Sequence, residues 1–314
     1  MTNGRDKLPW GDEWTHIDQA VHDEADRIKI AAKFLPPYGP LPEALTVPSD
    51  TVVPGGVLSV DEGATTPLVE TWVEFTLTPQ QVEREAEQMT AKTLAERATN
   101  LLCQAQDLLL FEGNAAVATN PLFTGTPPEV RLRSGPAGDG LLGFKTPLTQ
   151  IETVSPLTPS GGQPNYGENT AGAVARAYAK LQAAGHYGPY ALALPTVPYA
   201  DTHVPLANTL IMPADRIKPL VTAGFFGSGT FPARTVKGKE TPQGVMVSIG
   251  GNTMDLVVGR PPTVAFMQED VDGTYRFRVF ERFALRLKDP TAVIRLDFEP
   301  AAEAAEPSGN NQRK

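Results

Sequence analysis

The chain has 314 residues, of which 41% are hydrophobic, enough to bury one large core or two smaller ones and to exclude disorder throughout. No window approaches the roughly 20 apolar residues of a membrane span, and the first residues, MTNGRDKLPW, lack the apolar core of a signal peptide. We therefore expect a cytoplasmic protein. The formal net charge of -9 argues against a general nucleic-acid binder but allows local basic patches.

Cysteine and proline content set two further limits. Cys103 is the single cysteine, so neither an intramolecular disulfide nor a cysteine metal site can form, and its apolar helical setting predicts a small core residue. The polar end of the chain, 301–314, predicts a flexible tail. The 30 prolines predict long ordered loops, because they cluster in segments 36–67, 121–164, 195–219 and 232–262.

The first predicted helix begins at Asp12, a residue type that can cap a helix N-terminus. Pro36 and Pro37 cannot continue a helix, so this one must end by Leu35. Its apolar stripe has two interpretations, an ordinary core-packing face or a face that leaves part of itself for a partner. The stripe consists of Trp14, Ile17, Val21, Ala25, Ile28 and Ala32.

The segment from 46 to 78 carries short β-prone runs at 51–53, 57–60 and 68–77, separated by glycines. A two-stranded ribbon of this kind is marginal by itself and needs a partner surface. Trp72 and Phe75 fall on opposite faces of the last run, so we expect one of them to pack inward and the other against a neighbour.

A long helix is predicted next. Thr78 is a suitable N-cap, Pro79 suits the first turn, Gln81 completes a capping box, and Gly113 provides the C-terminal stop. An unbroken helix would span about 50 Å at about 1.5 Å per residue, although the sequence allows a break near Met89. The second half predicts a buried stripe made of Leu94, Ala98, Leu101, Ala105, Leu108 and Leu109.

The middle of the chain, 114–169, is rich in proline and glycine and shows strand-like runs only at 130–132 and 141–144. The run GPYALALP at 188–195 predicts a short strand that is buried on both faces. Between these regions, 170–184 predicts a helix with one apolar face formed by Val174, Ala177, Tyr178 and Leu181.

Near the C-terminus, residues 275–288 alternate with a period of two, which is typical of a strand with one dry and one wet face. Glu281 interrupts the dry face, and we expect a bend near it. Asp272 and Gly273 predict a hairpin turn to two shorter strands at 254–258 and 264–267. The dry face holds Tyr275, Phe277, Val279, Phe283, Leu285 and Leu287. The wet face holds Arg276, Arg278, Arg282, Arg286 and Lys288, with Phe280 and Ala284 as apolar interruptions.

Residue types that carry enzyme chemistry are few and scattered. The histidines, His16, His22, His186 and His203, fall in no metal-binding spacing. The sequence has no serine nucleophile elbow and no glycine-rich phosphate loop. We therefore expect no enzyme activity and no catalytic, cofactor-binding or metal site. Paired-acid catalysis among the 36 acidic residues is unsupported rather than disproved.

Several runs of the sequence are similar to one protein family. They are WTHIDQAVHDEADRIKIAAKF at 14–34, ETWVEFTLTP at 70–79, DLLLFEG at 107–113, GPYALALP at 188–195, and the stretch 250–298. Together they resemble the family 1 encapsulins, linocin-M18-like shell proteins of bacterial nanocompartments with the HK97-type capsid fold. The segments 126–169 and 231–244 are longer than their counterparts in that family, which leaves pore shape and shell size open.

The resemblance implies an α+β protein with an N-terminal helix, an E-loop, a peripheral domain and an axial domain. The implied limits are an N-terminal helix and arm at 1–45, an E-loop at 46–77, a peripheral domain with its spine helix at 78–125, an axial domain with a Pro/Gly-rich insertion at 126–230, peripheral β-strands at 231–300, and a flexible tail at 301–314.

The resemblance also implies candidate site residues. In the family, the N-terminal helix lies on the inner shell surface and helps to form a pocket for the cargo-loading peptide. His203 becomes a pore-lining candidate, and the arginine-rich wet face becomes either a contact between subunits or a solvated face. The candidate pocket residues are Ile28, Ala32, Phe34, Leu35, Leu256, Val258 and Phe266.

The implied function is structural. Identical subunits would assemble into an icosahedral shell around a cargo enzyme, such as a peroxidase or ferritin-like protein with a C-terminal loading peptide, without nucleic acid, membrane or cofactor. The alternative is a phage or prophage major capsid protein of HK97 type, and a third reading is a bacteriocin or hydrolase. Resemblance at both the N-terminal helix and the C-terminal strands favours an encapsulin, because the N-terminal segment of phage subunits is usually a different arm.

Overall fold

The structure, a computed structural model of one chain, describes most of the sequence. The described residues are 3–53, 59–61, 63–133, 138–143, 150–157, 165–205, 210–231, 233–236 and 239–300. The predicted tail at 301–314 and the start of the predicted strand at 57–60 lie outside them.

Three longer helices frame the molecule: α1 at Asp12–Ile28, α4 at Thr90–Glu112 and α8 at Gly167–Ala183. Shorter helices are α2 at Pro79–Glu83, α3 at Glu85–Gln88, α5 at Asn114–Thr119, α6 at Pro121–Thr124, α7 at Gly140–Gly143, α9 at Thr196–Asp201 and α10 at Pro213–Ile217. Turns of 3₁₀ helix lie at Arg5–Lys7, Ala31–Lys33, Lys218–Leu220, Gly250–Asn252 and Pro290–Ala292.

The first sheet holds the long C-terminal hairpin. Its strands, in spatial order, are β1 at Pro37–Tyr38, β13 at Met254–Glu269, β14 at Tyr275–Leu287, β6 at Val69–Leu77 and β7 at Arg131–Arg133. Helices α1 and α4 pack on one face of this sheet, because the apolar residues of the strands alternate towards them. The resulting core includes Trp14, Ile17, Leu102, Val73 and Phe277.

The second sheet lies under α8. Its strands, in spatial order, are β10 at Gly224–Ser228, β9 at Tyr190–Pro195, β12 at Lys239–Ser248, β15 at Val293–Phe298 and β8 at Ile151–Val154, with β11 at Ala233–Val236 paired to β12. Every residue of β9 is buried, as the sequence predicted. The apolar face of α8, including Val174, Ala177 and Leu181, packs in the core of this sheet.

A two-part ribbon connects the N-terminal arm with the first sheet. Strand β2 at Thr46–Pro48 pairs with β5 at Thr65–Pro67, and farther out β3 at Thr51–Val53 pairs with β4 at Ser59–Asp61. The inner part is anchored, since Val47 and Leu68 are buried against β13 and β14 in a small separate core. The outer part contributes only exposed side chains at Val52 and Ser59–Asp61.

The N-terminal helix differs from its prediction in its cap and in the length of its stripe. Gly11, not Asp12, is the N-cap, and its N–H donates to the Glu13 carboxylate at 2.9 Å. The helix ends at Ile28, within the limit predicted at Leu35 but before Ala32, the last residue of the predicted stripe. The physical cause is Asp107 of α4, whose carboxylate accepts the N–H groups of Ile30 and Ala31 and so replaces the helical hydrogen-bond ladder.

The capping box at Thr78 and Gln81 is confirmed, and so is the break at Met89, which has a φ of 52°. The Glu85 carboxylate caps α4 by accepting the N–H groups of Ala91 and Lys92, which explains why a new helix begins there. The predicted stripe of α4 is only partly right. Leu94 and Leu101 are half-buried, whereas Leu102 and Cys103 are fully buried.

Three strand predictions were wrong. The runs 254–258 and 264–267 form the single strand β13, which passes Gly259 and the two following prolines through register shifts instead of ending there. Residues 141–143 are helical in α7, and Phe144 lies outside the described residues. The loop expected at 231–244 contains the β11–β12 hairpin.

The sheets also cross the predicted domain limits. Strands β12 and β15 fall within 231–300, the range predicted as peripheral, yet they pair with β8 and β9 of the predicted axial range. The domain limits therefore remain a proposal, and the placement of β12 and β15 in the second sheet departs from them.

Candidate assembly and cargo-docking site

Three of the predicted pocket residues are part of the subunit core. Phe34, Leu35 and Leu256 are 4%, 2% and 4% exposed and pack in the cluster between the two sheets. The Phe34 ring stacks on Phe226 with a centroid distance of 5.8 Å. These three side chains therefore have no open surface to offer a peptide within this subunit.

The other four candidates divide between different places. Ala32 and Val258 are partly buried at the edge of the same core cluster. Phe266 belongs to the other cluster, against Phe277 at 5.5 Å, and is 6% exposed. Ile28 is partly exposed at the end of α1. Ala32 and Val258 thus pack against one core cluster, and Phe266 packs in another.

A groove of about 400 Å³ runs along the other side of α1, where it faces the break between α3 and α4. Its lining includes Ile17, Ala20, Ala86 and the half-exposed Met89. Charged side chains also line it: Glu13, Asp23, Glu24, Arg27, Glu85, Lys92 and Glu96. The sequence allowed the break near Met89, but the packing of α1 beside this break is a tertiary contact that no local pattern shows.

Two buried acidic side chains attach the end of α1 to its neighbours. Glu281 of β14 pairs with Lys29, and Asp107 of α4 accepts the N–H groups of Ile30 and Ala31. Lys29 Nζ lies 2.6 Å from Glu281 Oε2, and the two side chains are 13% and 1% exposed. Burial raises the pKa of Glu281, an effect that Lys29 offsets only in part. Burial also raises the pKa of Asp107, to about 6. Glu281 was noticed in the sequence as an interruption of the dry face, but Lys29 was not recognised as its partner.

Carboxylates of the same chain pair with the wet face of β14, which was expected to be either a contact between subunits or a solvated face, and its two ends differ in exposure. Arg276 pairs with Asp270 at 2.7 Å, and Arg282 pairs with Glu70 at 2.7 Å. Farther along the strand, Arg286 and Lys288 are 5% and 6% exposed. The carboxylate partners come from neighbouring strands and from the ribbon. Because these residues lie outside β14 in the sequence, the alternating pattern of β14 alone could not reveal them.

The outer ribbon and its root expose apolar side chains. Leu45, Val52 and Val60 are 67%, 39% and 51% exposed. The main chain is attached to the sheet by the N–H of Val52, which donates to the Lys288 carbonyl at 3.0 Å. A ribbon that exposes valines on a two-stranded pair has too little apolar contact of its own to be stable, and a second surface would complete it.

The His203 side chain packs against two aromatic rings in the predicted axial region. Its ring lies 4.7 Å from Tyr199 and 5.9 Å from Phe225, measured between centroids, and its Nδ1 lies 3.0 Å from the Tyr199 carbonyl oxygen. The imidazole is half-buried, while Val204, beside it, is exposed. Whether His203 lines a pore stays a prediction.

The described residues offer little catalytic chemistry. In this part of the chain, no group of three or more His, Cys, Asp or Glu side chains could hold a metal ion. Burial raises the pKa of the half-buried Glu112 to about 7, but that residue ends α4 and faces no predicted nucleophile. None of the helices in the described ranges is both long and apolar enough to cross a membrane.

Comparisons with known proteins agree with this geometry. The family Linocin_M18, described as encapsulating protein for peroxidase, matches residues 148–284. The type 1 encapsulin shell protein EncA of Myxococcus xanthus is 27% identical over 310 residues, covering 93% of this chain and 94% of the relative.

Two solved structures show the same fold. The virus-like particle from Pyrococcus furiosus has a TM-score of 0.63 and 14% identity, covering 91% of this chain and all of that chain. The capsid protein of Myoviridae phage XM1 has a TM-score of 0.56 and 14% identity, covering 86% of this chain and 91% of that chain. The chain has the HK97-type capsid fold, and its sequence is similar to encapsulin shell proteins.

Proposed function

We propose that this chain is the subunit of a closed, icosahedral protein compartment that encloses a cargo protein. The observation that carries the proposal is the outer ribbon, which projects from a complete fold with exposed Val52 and Val60 and no cover from its own chain among the described residues. A subunit that must present different contacts on different edges can close a shell when a neighbour supplies the missing cover.

Full-length sequence similarity to an encapsulin shell protein supports a cargo compartment over the alternative, a phage or prophage capsid. Similarity to the phage capsid is limited to the fold at 14% identity. The partner we propose is a cargo protein with a C-terminal loading peptide, without nucleic acid or membrane. The role is structural, with no catalytic residue, and the compartment is cytoplasmic.

We place cargo docking at the three predicted pocket residues that are only partly buried, Ile28, Ala32 and Val258. The other four predicted pocket residues are buried in the subunit. His203 remains the pore-lining candidate, because it lies next to the exposed Val204 at the end of α9.

Negative-stain electron microscopy of the purified chain tests the proposal. We expect closed particles of uniform size that contain protein and no nuclease-protected nucleic acid. Nucleic acid packaged in the particles would favour the phage alternative, and a protein that stays monomeric at all concentrations would contradict both.

Removal of the ribbon gives a sharper test. Deleting all of 46–69 would also damage the core, because Val47, Leu68 and Val69 are buried. Replacing 52–60 by a short glycine linker removes only the outer ribbon. We expect a folded subunit by circular dichroism that forms no closed particles, whereas closed particles from this variant would contradict the role of the ribbon.

A further inference from the structure

The guanidinium group of Arg286 joins three parts of the subunit at the root of the ribbon. Its Nε and Nη2 atoms donate to the Asp255 carboxylate of β13 at 3.0 and 2.7 Å. Its Nη1 atom donates to Asp50 Oδ2 at 2.7 Å and to the Pro48 carbonyl at 3.3 Å. The guanidinium carbon also lies 4.5 Å from the centre of the Tyr38 ring in the N-terminal arm.

The charges at this joint are balanced and largely removed from water. Lys288 Nζ lies 2.8 Å from Asp255 Oδ2, so the cations Arg286 and Lys288 face the carboxylates of Asp255 and Asp50. The side chains of Arg286, Lys288 and Asp255 are only 5–6% exposed. Buried pairs of this kind are screened little by salt and hold a defined geometry, because an uncompensated charge there is costly.

Asp50 is the member of the joint that the ribbon contributes. It lies between β2 and β3 at the point where the chain turns outward, with a φ of 50°, a left-handed conformation that aspartate tolerates better than most residues. The sequence contains no lysine or arginine from 34 to 83, so the cation for Asp50 has to come from outside the ribbon.

The attachment beyond Asp50 is slight. The Val52 N–H donates to the Lys288 carbonyl at 3.0 Å, and the side chain of Val52 is exposed. The direction of the outer ribbon is therefore determined at two points on one side of the turn, the Asp50 carboxylate and the Val52 amide. Both are held at the end of β14, the first by the Arg286 side chain and the second by the main-chain carbonyl of Lys288, which follows the strand.

We propose that Arg286 is a positioning residue that, through Asp50, fixes the angle at which the ribbon leaves the subunit, so that neighbouring subunits meet at one angle and close shells of one size. This inference rests on the proposed function for its effect on assembly. Its effect on the ribbon itself does not depend on assembly.

The substitution Asp50→Asn tests the proposal. Asparagine adopts the left-handed conformation as readily as aspartate, so the variant keeps the backbone preference and loses the charge. Asp18→Asn is the matched control, because it neutralises a surface carboxylate that also pairs with an arginine, Arg5, at 2.6 Å. Arg286 is left unchanged, since its removal would strand the buried Asp255.

Two measurements decide the outcome. Hydrogen exchange should show the Val52 amide exchanging about tenfold faster or more in the Asp50→Asn protein, because a charge-assisted hydrogen bond beside it has been weakened. Electron microscopy should show a broad distribution of particle sizes or open particles for Asp50→Asn and a uniform distribution for Asp18→Asn.

An unchanged exchange rate of the Val52 amide in the Asp50→Asn protein would overturn the proposal. Faster exchange together with particles of wild-type size would also overturn it, because the ribbon angle would then not depend on the charge. If the wild-type chain itself forms no closed particles, the proposed function fails separately. The positioning role of Arg286 is then decided by the Val52 exchange rate alone.

Discussion

The buried carboxylate of Glu281 determines how the end of α1 is attached to the sheet. Only one of its two oxygens has a partner among the described residues, Lys29 Nζ, and the other is buried without one. A buried ion pair of this kind contributes little net stability while intact, but removing one partner leaves an uncompensated charge in the core. The end of the N-terminal helix is thus held by a contact that tolerates no one-sided change.

Replacing Lys29 by methionine should therefore lower the free energy of unfolding by about 3–5 kcal/mol. The double variant Lys29→Met with Glu281→Leu should recover most of that loss, because both charges are then removed. Arg27→Met is the control; Arg27 pairs with Glu24 at 2.6 Å but is 68% exposed, and exposed surface pairs contribute little to stability. Denaturant unfolding measures all three, and equal losses for Lys29→Met and Arg27→Met would contradict this account.

Asp107 should give the subunit a pH-dependent stability. Burial raises its pKa from the ordinary 3.8 to about 6, so the folded state binds the proton more tightly than the unfolded state does. The stabilisation is fully present below about pH 4 and is lost as the pH rises through about 6, a change of roughly 3 kcal/mol at about 1.4 kcal/mol per unit.

In the Asp107→Asn variant, the unfolding free energy should no longer show the decrease between pH 4 and 6 that titration of Asp107 causes. The readout is denaturant unfolding at a series of pH values. A slope in Asp107→Asn as steep as in the wild type would show that Asp107 is not the titrating group.

For single residues, the sequence was informative where one residue interrupted a pattern. Glu281 was visible as a charge on the dry face of β14, but its partner Lys29 lies 252 positions away, and no local pattern connects them. Likewise, Phe34 and Leu35 could be recognised as part of a family-like run, but their burial depends on contacts with the second sheet that appear only in three dimensions.

Among the elements, the C-terminal end of the spine helix shows a close backbone contact. Gly140, with a φ of 67°, lies against the last turn of α4, where a Cβ atom would approach the Phe111 carbonyl oxygen to 2.5 Å. Gly138, with a φ of 74°, has no atom within 4 Å of the same hypothetical Cβ position. The two glycines therefore share a left-handed conformation and differ in close packing.

Gly138→Ala should cost about 1–2 kcal/mol, the usual penalty of the left-handed conformation. Gly140→Ala should cost clearly more, because the backbone of α4 would have to move as well. Thermal unfolding of the two variants side by side checks the difference. Equal losses would mean that conformation alone, and not the contact with α4, requires glycine at position 140.

Element prediction from sequence succeeded where pattern and chemistry agreed and failed where tertiary contacts decided. The capping box at Thr78 specified the start of α2, and strand β9 was predicted from its apolar run. The continuity of β13 through two prolines was not predictable, because it depends on β14, which pairs with β13 up to Arg260 and again from Thr263. The run at 141–143 is helical and follows Gly140, whose backbone lies against the last turn of α4.

At the scale of the whole molecule, the described residues form a two-sheet fold from which the outer ribbon projects with exposed valines, and this combination suits a shell subunit. The cores beneath the sheets are closed by the chain itself, whereas the exposed valines of the ribbon are not. Assembly can then proceed without refolding of the subunit. It also follows that cargo has to dock on accessible edges and not in the interior of the subunit.

That constraint changes which substitution should separate cargo loading from assembly. Phe34→Asp, the choice suggested by sequence alone, would place a charge at a site that is 4% exposed and stacked on Phe226, so it should damage the subunit itself. Ala32, which is partly exposed at the edge of the core, can accept an aspartate that keeps contact with water.

We expect Ala32→Asp to give closed particles of normal size with about a tenth or less of the wild-type cargo, because an apolar peptide would have to desolvate the new charge. Ala184→Asp, at an exposed alanine after α8, is the matched control and should load normally. Mass spectrometry of purified particles measures the ratio of cargo to shell protein. Normal loading of Ala32→Asp particles would move the docking site away from this edge, and the groove between α1 and the α3–α4 break would then be the next surface to test.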